Sequence, residues 1–272
     1  MLLQRTLTAL LLAPLVIGLI LLAPTWLFAP IVAIAFLAAM WEWSRLSGLK
    51  ATAPRAALLA LTAILLVLCW LMRGTLGWPL LIGLGVAWWI AAGQWLRHFA
   101  FGAAPTRENR MVKLGAGLLV IVPAWVAVVA IHGSGEYGHW WTLLALFLVW
   151  AADIGAYFSG STFGGRKLAP TISPGKTWAG VYGAFAAAAL VALAGGLLLG
   201  VAGGQLAGLL VLSALTVVAS IVGDLLESLM KRHAAVKDSG SLFPGHGGLL
   251  DRLDSVFAAL PVFAAGKLLL GL

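Results

Sequence analysis

The residues able to do chemistry lie in the second half of the chain, where six of its nine carboxylates follow residue 150. Asp153 stands inside an apolar run, and an ionisable side chain there is costly unless it faces a polar cavity or a partner. Four further polar residues occupy positions i, i+3, i+4 and i+7 of one segment, so a helix places their side chains in a single polar stripe. Its members are Asp224, Glu227, Ser228 and Lys231.

Two further aspartates, Asp251 and Asp254, open the last apolar run and share one helical face. Mg²⁺ prefers carboxylate oxygens, keeps several waters and commonly bridges to substrate phosphates. The sequence therefore predicts a Mg²⁺ site, and it leaves open whether a second cation binds. The predicted ligands are Asp224, Asp251, Asp254 and Glu227, and the predicted neutralising cations are Lys231, Arg232 and Arg252. An intramembrane salt-bridge network is the structural alternative.

A loop at 164–177 has the composition of a phosphate-binding segment, because it combines glycines, three cations and three hydroxyls. Its predicted substrate-binding residues are Lys167, Ser173, Lys176 and Thr177. An ordinary positively charged loop would explain the cations but not the density of Ser, Thr and Pro. His246, flanked by Pro244-Gly245 and Gly247-Gly248, is a candidate general base or else a hydrogen-bonded turn residue.

The elements that must carry these residues are membrane helices. Of the 272 residues, 62% are hydrophobic and only 10% are charged, which excludes a soluble globule. Continuous apolar runs favour helices over a barrel, so we predict an all-α, polytopic bundle. The nine predicted spans lie near 7–23, 26–43, 56–72, 76–96, 114–131, 140–160, 178–200, 206–230 and 253–271. Eight or ten spans remain possible.

The distribution of Lys and Arg predicts how the bundle is oriented. With the N-terminus cytoplasmic and the C-terminus external, 15 of the 17 Lys and Arg fall in cytoplasmic segments, as the positive-inside rule requires. The net charge of +8 is then explained by topology and anionic headgroups, and we expect no nucleic-acid partner. The chain is predicted to cross the inner, or plasma, membrane, with its reactive loops facing the cytoplasm.

The two parts of the chain differ in polarity. Residues 1–135 are predicted to be a transmembrane scaffold and residues 136–272 the catalytic region with its cytoplasmic loops, within one integrated membrane domain. In the first part, Glu42 and Glu108 lie beside arginines at the inner interface and are interpreted as satisfied interfacial charges. The single cysteine, Cys69, excludes an intrachain disulfide.

Several of these segments together resemble the signature of phosphatidate cytidylyltransferases, the CDP-diacylglycerol synthases. They are Ser228-Leu-Met-Lys231-Arg232, Lys237-Asp238, Pro244-Gly245-His246-Gly247-Gly248 and Asp251-Arg252-Leu253-Asp254, with Asp153-x-x-Ala156-Tyr157 and Ser173-Pro174-Gly175-Lys176-Thr177 upstream. The resemblance implies transfer of CMP from CTP to phosphatidic acid, with Mg²⁺ required, membrane lipid as surroundings and a homodimer as assembly. It completes the predicted substrate-binding set with Asp153, Tyr157, Ser228, Lys237 and Asp238.

Two other functions remain as alternatives. A CTP-dependent polyprenol or dolichol kinase would share a nucleotide site but phosphorylate an alcohol, and the long signature argues against it. A polytopic transporter could also bury Asp153, but it would place polar breaks in two related halves. Here the polar groups are confined to the second half.

Overall fold

The computed structural model describes residues 2–240 and 247–272, and for residues 2–11 the backbone only. His246 lies outside the described residues. Within them the chain forms nine α-helices and one small hairpin. The helices are α1 (Leu2–Leu22), α2 (Thr25–Leu46), α3 (Thr52–Leu71), α4 (Gly77–Trp95), α5 (Arg107–His132), α6 (Gly138–Phe163), α7 (Trp178–Leu198), α8 (Gly203–His233) and α9 (Leu250–Leu270), and the strands are β1 (Lys167–Ala169) and β2 (Ser173–Thr177).

The nine helices coincide with the nine predicted spans. Among the described residues, seven helices are long and apolar enough to cross a membrane, namely α2, α3 and α5 to α9. The prediction of a polytopic helical membrane bundle is therefore confirmed. Helix α5 lies at the centre, with most of its side chains between Val120 and Ile131 buried, and α2, α4, α6 and α9 pack around it.

Contacts between the ends of α1, α2, α5 and α9 agree with the helix directions of the predicted topology. At one end of the bundle, Arg45 Nη2 in the last turn of α2 donates to the Ser239 carbonyl before α9, at 2.5 Å. At the other end, His132 of α5 lies 2.9 Å from Thr25 Oγ1 and 3.0 Å from the Ile20 carbonyl. The ends predicted to be cytoplasmic thus lie together, as do those predicted to be external.

Helices α6 and α7 approach closely because glycines face each other across the contact. A Cβ added to Gly155 would lie 2.4 Å from the Gly183 carbonyl oxygen, and one added to Gly180 would lie 2.9 Å from that of Ala156. No larger side chain fits at such separations unless the backbone moves. This contact fixes the part of α6 that carries Asp153.

Helices α8 and α9 meet in a similar way beside the predicted metal ligands. A Cβ on Gly223 would lie 2.4 Å from the carbonyl oxygen of Asp254. Asp224 follows directly in α8, so the glycine contact brings the carboxylate-bearing turns of the two helices to the same level. The close packing of small residues between these two helices therefore positions their aspartates.

The segment 164–177, predicted as a loop, contains an antiparallel hairpin with Lys167 opposite Thr177 and Ala169 opposite Ser173. Its turn is closed by the Ile172 amide, which donates to the Ala169 carbonyl at 3.2 Å. Pro170 occupies the second turn position, where its fixed φ is favourable. Ile172 is buried and anchors the hairpin to the bundle.

Candidate active site

A cavity of about 650 Å³ opens between α6, α7, α8, α9 and the hairpin. Its charged lining residues are Asp153, Lys176, Asp224, Lys231, Asp238, Asp251, Arg252 and Asp254, and its hydroxyls come from Tyr157, Ser161, Thr177, Ser220 and Ser255. Every described lining residue belongs to the segment 152–255. The cavity therefore concentrates both charge signs in the second half of the chain.

The hairpin contributes its cation to the cavity through an ion pair. Lys176 Nζ on β2 contacts Asp224 Oδ2 on α8, and both side chains remain a little over one quarter exposed, at 27% and 29%. The neighbouring Thr177 caps the N-terminus of α7, because its Oγ1 accepts from the Gly180 amide at 3.2 Å. Ser228 Oγ, one turn beyond Asp224, lies 3.4 Å from its Oδ1. The Lys176 ammonium is therefore held at the cavity wall.

The polar stripe of α8 forms as predicted and connects to α9. Lys231 Nζ lies 2.5 Å from Glu227 Oε2 and 2.7 Å from Asp251 Oδ1. The Glu227 side chain is almost fully buried, at 2% exposed, whereas Lys231 and Asp251 line the cavity. A cation shared by two carboxylates offsets the cost of burying them.

Asp251 also organises the segment that precedes α9. Its Oδ2 accepts from the Gly248 amide at 2.7 Å and the Ser239 amide at 3.0 Å, and Ser239 Oγ lies 2.9 Å away. Gly247 has a φ of +81°, and a Cβ there would lie 2.5 Å from the same oxygen. Glycine is thus required at position 247 both by its backbone conformation and by the closeness of the carboxylate.

The carboxylates of the cavity are compatible with a Mg²⁺ site of the kind that substrate phosphates complete. Within residues 2–240 and 247–272, no three carboxylate, histidine or cysteine side chains gather into a ready-made metal site. Mg²⁺ commonly uses only one or two carboxylates and completes its shell with water and substrate phosphates. Asp153, Asp224 and Asp254 face one cavity, so a cation there would relieve the repulsion among them. The metal assignment stays a prediction.

The structure separates the predicted site residues into three groups. Those lining the cavity are Asp153, Tyr157, Lys176, Thr177, Asp224, Lys231, Asp238, Asp251, Arg252 and Asp254. Glu227 and Ser228 contact lining residues from behind, and Arg232 and Lys237 line a neighbouring depression of about 460 Å³. Lys167 and Ser173 lie on the hairpin outside both spaces. The roles of all these residues remain predictions.

The sequence did not identify the contribution of α2. Glu42, interpreted as a satisfied interfacial charge, contacts the segment preceding α9 about 200 residues away, and so does Arg45 of the same helix. The hydroxyls of Ser161, Ser220 and Ser255 were also not singled out. The signal available for Glu42 was that it is a single acidic residue in an otherwise apolar run. That signal does not indicate which distant segment the carboxylate contacts.

The fold and cavity define a class, a polytopic helical membrane protein whose cavity combines carboxylates with cations at one end of the bundle. Comparison with known proteins gives the family. Residues 3–269 match the model of the Cytidylyltransferase family. The chain belongs to this family, which confirms the resemblance, and it is a nucleotidyltransferase rather than a transporter.

Similar curated proteins cover nearly the whole chain. A phosphatidate cytidylyltransferase of Pseudomonas aeruginosa is 43% identical over 265 residues, covering 97% of this chain and 96% of its own. One of Haemophilus influenzae is 35% identical over 97% of this chain and 98% of its own. One of Brucella suis is 38% identical over 82% and 77%. The likeness therefore extends over the scaffold helices as well as the signature.

Proposed function

We propose that this chain transfers CMP from CTP to phosphatidate, producing CDP-diacylglycerol and pyrophosphate, in the cavity between α6 and α9. A phosphate oxygen of phosphatidate attacks the α-phosphorus of CTP, and the bond from that phosphorus to the oxygen bridging to the β-phosphate breaks. Pyrophosphate leaves with the bonding electron pair. The observation that carries the proposal is a cavity lined by five aspartates and three cations in a chain of the Cytidylyltransferase family.

The cations serve to bring two anions together. Lys176 and Lys231 each hold a carboxylate at the cavity wall, and Arg252 also lines the cavity. When phosphates enter, their oxygens compete for the ammonium groups, since charge-assisted hydrogen bonds to phosphate are strong. The lysines then turn from Asp224 and Asp251 towards the substrate. Asp224 and Asp251 would then be free to act as ligands of a bound cation.

Mg²⁺ bound among the aspartates would neutralise charge on the phosphates and orient the reacting groups. One or two of the predicted ligands Asp224, Asp251 and Asp254 would hold it, with Glu227 behind them and with water and phosphate oxygens completing its shell. Lys231, bonded to both Glu227 and Asp251, keeps these carboxylates in place before the substrates arrive. Turnover is therefore expected to require a divalent cation.

The position of the cavity suits one water-soluble and one lipid substrate. Most of its charged residues lie near the bundle end predicted to be cytoplasmic, whereas Asp153 lies deeper in α6, and the lining also includes the apolar Ala152, Ala184 and Ile221. CTP would enter from the cytoplasm, and phosphatidate would arrive laterally from the membrane with its headgroup at the same depth. This arrangement supports the cytoplasmic orientation and the inner-membrane location that we propose.

Isotope position in CTP distinguishes the proposed reaction from a kinase reaction. With phosphatidate, Mg²⁺ and purified protein, label in the α-phosphate should enter the lipid and label in the γ-phosphate should leave as pyrophosphate. A polyprenol or dolichol kinase would instead place the γ-label in a lipid alcohol. Lipid labelled from the γ-position, with the α-label left in CDP, would refute the proposal.

Orientation is tested separately with topology reporters. Fusions after Pro105 and after Gly240 should report the cytoplasm, and a fusion within 134–138 should report the external side. The reverse pattern would place the cavity away from CTP and contradict the mechanism. The homodimer implied by the resemblance is tested by light scattering of the purified protein in detergent, where a monomer mass would contradict it.

A further inference from the structure

Glu42 makes contacts that an interfacial surface charge does not make. Its side chain is buried, at 9% exposed, and its carboxylate meets the start of α9. Oε1 accepts from the Leu249 amide at 3.1 Å, and Oε2 accepts from the Leu250 amide at 2.8 Å. The Ser239 hydroxyl lies 2.9 Å from Oε2. Glu42 therefore caps the N-terminus of α9 from another helix, where a negative charge is favourable.

Two glycines make room for this carboxylate. A Cβ on Gly240 would lie 2.2 Å from Glu42 Oε1, and a Cβ on Gly248 would lie 2.2 Å from Glu42 Oε2. Neither glycine has a positive φ, so an alanine would be acceptable to the backbone. The close approach of Glu42 is thus the principal steric reason for glycine at position 240.

A chain of hydrogen bonds continues from α2 to the cavity. Arg45 Nη2 donates to the Ser239 carbonyl at 2.5 Å, and Ser239, which is fully buried, donates its amide to Asp251 Oδ2 at 3.0 Å. The other oxygen of Asp251 binds Lys231 at 2.7 Å. Glu42 accepts from the Ser239 hydroxyl and Arg45 donates to the Ser239 carbonyl. Two residues of α2 therefore fix the position of Ser239.

The part of α2 that carries Glu42 is held firmly against α5. Trp43, adjacent to Glu42, donates its Nε1–H to the Lys113 carbonyl of α5 at 2.8 Å. A Cβ on Gly117 of α5 would lie 2.4 Å from the Trp43 ring, so the two helices are locked together. Because α5 is the buried centre of the bundle, the position of Glu42 is set by the scaffold.

We propose that Glu42, assisted by Arg45, is a positioning residue of the active site, which ties Asp251 and Lys231 to the scaffold helices. This inference rests on the proposed function and assigns part of the site to the first half of the chain. A residue that only supports folding would change the amount of folded protein. A positioning residue changes the turnover of the protein that is folded.

The first test compares Glu42→Gln with Glu108→Gln, which removes the same charge from an exposed position on the same predicted side. We expect kcat of Glu42→Gln to fall about tenfold or more, with the KM for phosphatidate within about twofold of wild type. The control should keep wild-type kcat and KM. A wild-type kcat per folded Glu42→Gln molecule, measured with its thermal midpoint in detergent, would overturn the proposal.

A second test measures coupling, so that it stays informative if one variant folds poorly. Gly240→Ala should lower kcat strongly in the wild-type background, because its methyl group collides with the carboxylate. In the Glu42→Ala background the same change should cost less than about twofold, since the obstacle is gone. Equal losses in both backgrounds would overturn the proposal. An inactive wild-type protein would instead refute the proposed reaction itself.

Discussion

Lys176 and Lys167 lie on the same hairpin, but only Lys176 lies at the cavity. Lys176 lines the cavity and contacts Asp224, whereas Lys167 is exposed on β1 outside it. We predict that Lys176→Met raises the KM for CTP, because one charged contact to the triphosphate is lost. A hydrogen bond to a charged group contributes about 1.5–3 kcal/mol, and tenfold corresponds to about 1.4 kcal/mol. The expected increase is therefore about tenfold to a hundredfold.

The assay is steady-state formation of CDP-diacylglycerol in mixed micelles, with each substrate varied in turn. Lys167→Met is the matched control, since it removes the same charge from the same hairpin, and its KM for CTP should stay within about twofold of wild type. Lys176→Met should change the KM for phosphatidate less than the KM for CTP. Equal effects of the two variants, or equal effects of Lys176→Met on both substrates, would refute the assignment.

Three other predictions concern packing and charge. Gly223→Val should destabilise the protein by about 1–3 kcal/mol, because added carbons collide with the Asp254 carbonyl and overpack the contact; an unchanged unfolding midpoint in detergent would contradict this. Lys231→Met should cost about 3–5 kcal/mol, since it leaves buried Glu227 without its cation, and chemical denaturation measures the loss. Arg232→Lys should leave the KM for CTP within about twofold, because the guanidinium lies outside the cavity, and a large increase in that KM would contradict the placement.

The helices and most of the cavity were predictable because they follow from local spacing. Apolar runs long enough to cross a bilayer located all nine helices, and the i, i+3, i+4, i+7 pattern placed Asp224 and Lys231 on the face of α8 that lines the cavity. The pair Asp251 and Asp254 was correctly placed on one face of α9. These features depend only on helical geometry.

The remainder depends on contacts between distant segments, which spacing cannot reveal. The predicted division at residue 135 agrees with the cavity, whose described lining lies entirely in the second part. Glu42 belongs to the first part, yet it contacts a segment about 200 residues later. The hairpin at 167–177 was interpreted as a loop, although Pro170 was a turn signal. Lys167 and Lys176 belong to one short basic segment of the sequence, and only the fold shows that Lys176 alone lines the cavity.

We propose that CMP transfer takes place in the cavity that Asp224 lines. The most direct test measures labelled CDP-diacylglycerol formed from α-labelled CTP, phosphatidate and Mg²⁺ by purified wild type and Asp224→Asn. The isosteric variant retains the side-chain shape but loses the charge that pairs with Lys176 and would attract the metal. We predict ready turnover by wild type and a loss of about a hundredfold or more in a folded Asp224→Asn protein. Near-wild-type turnover by the variant at limiting Mg²⁺ would contradict the account.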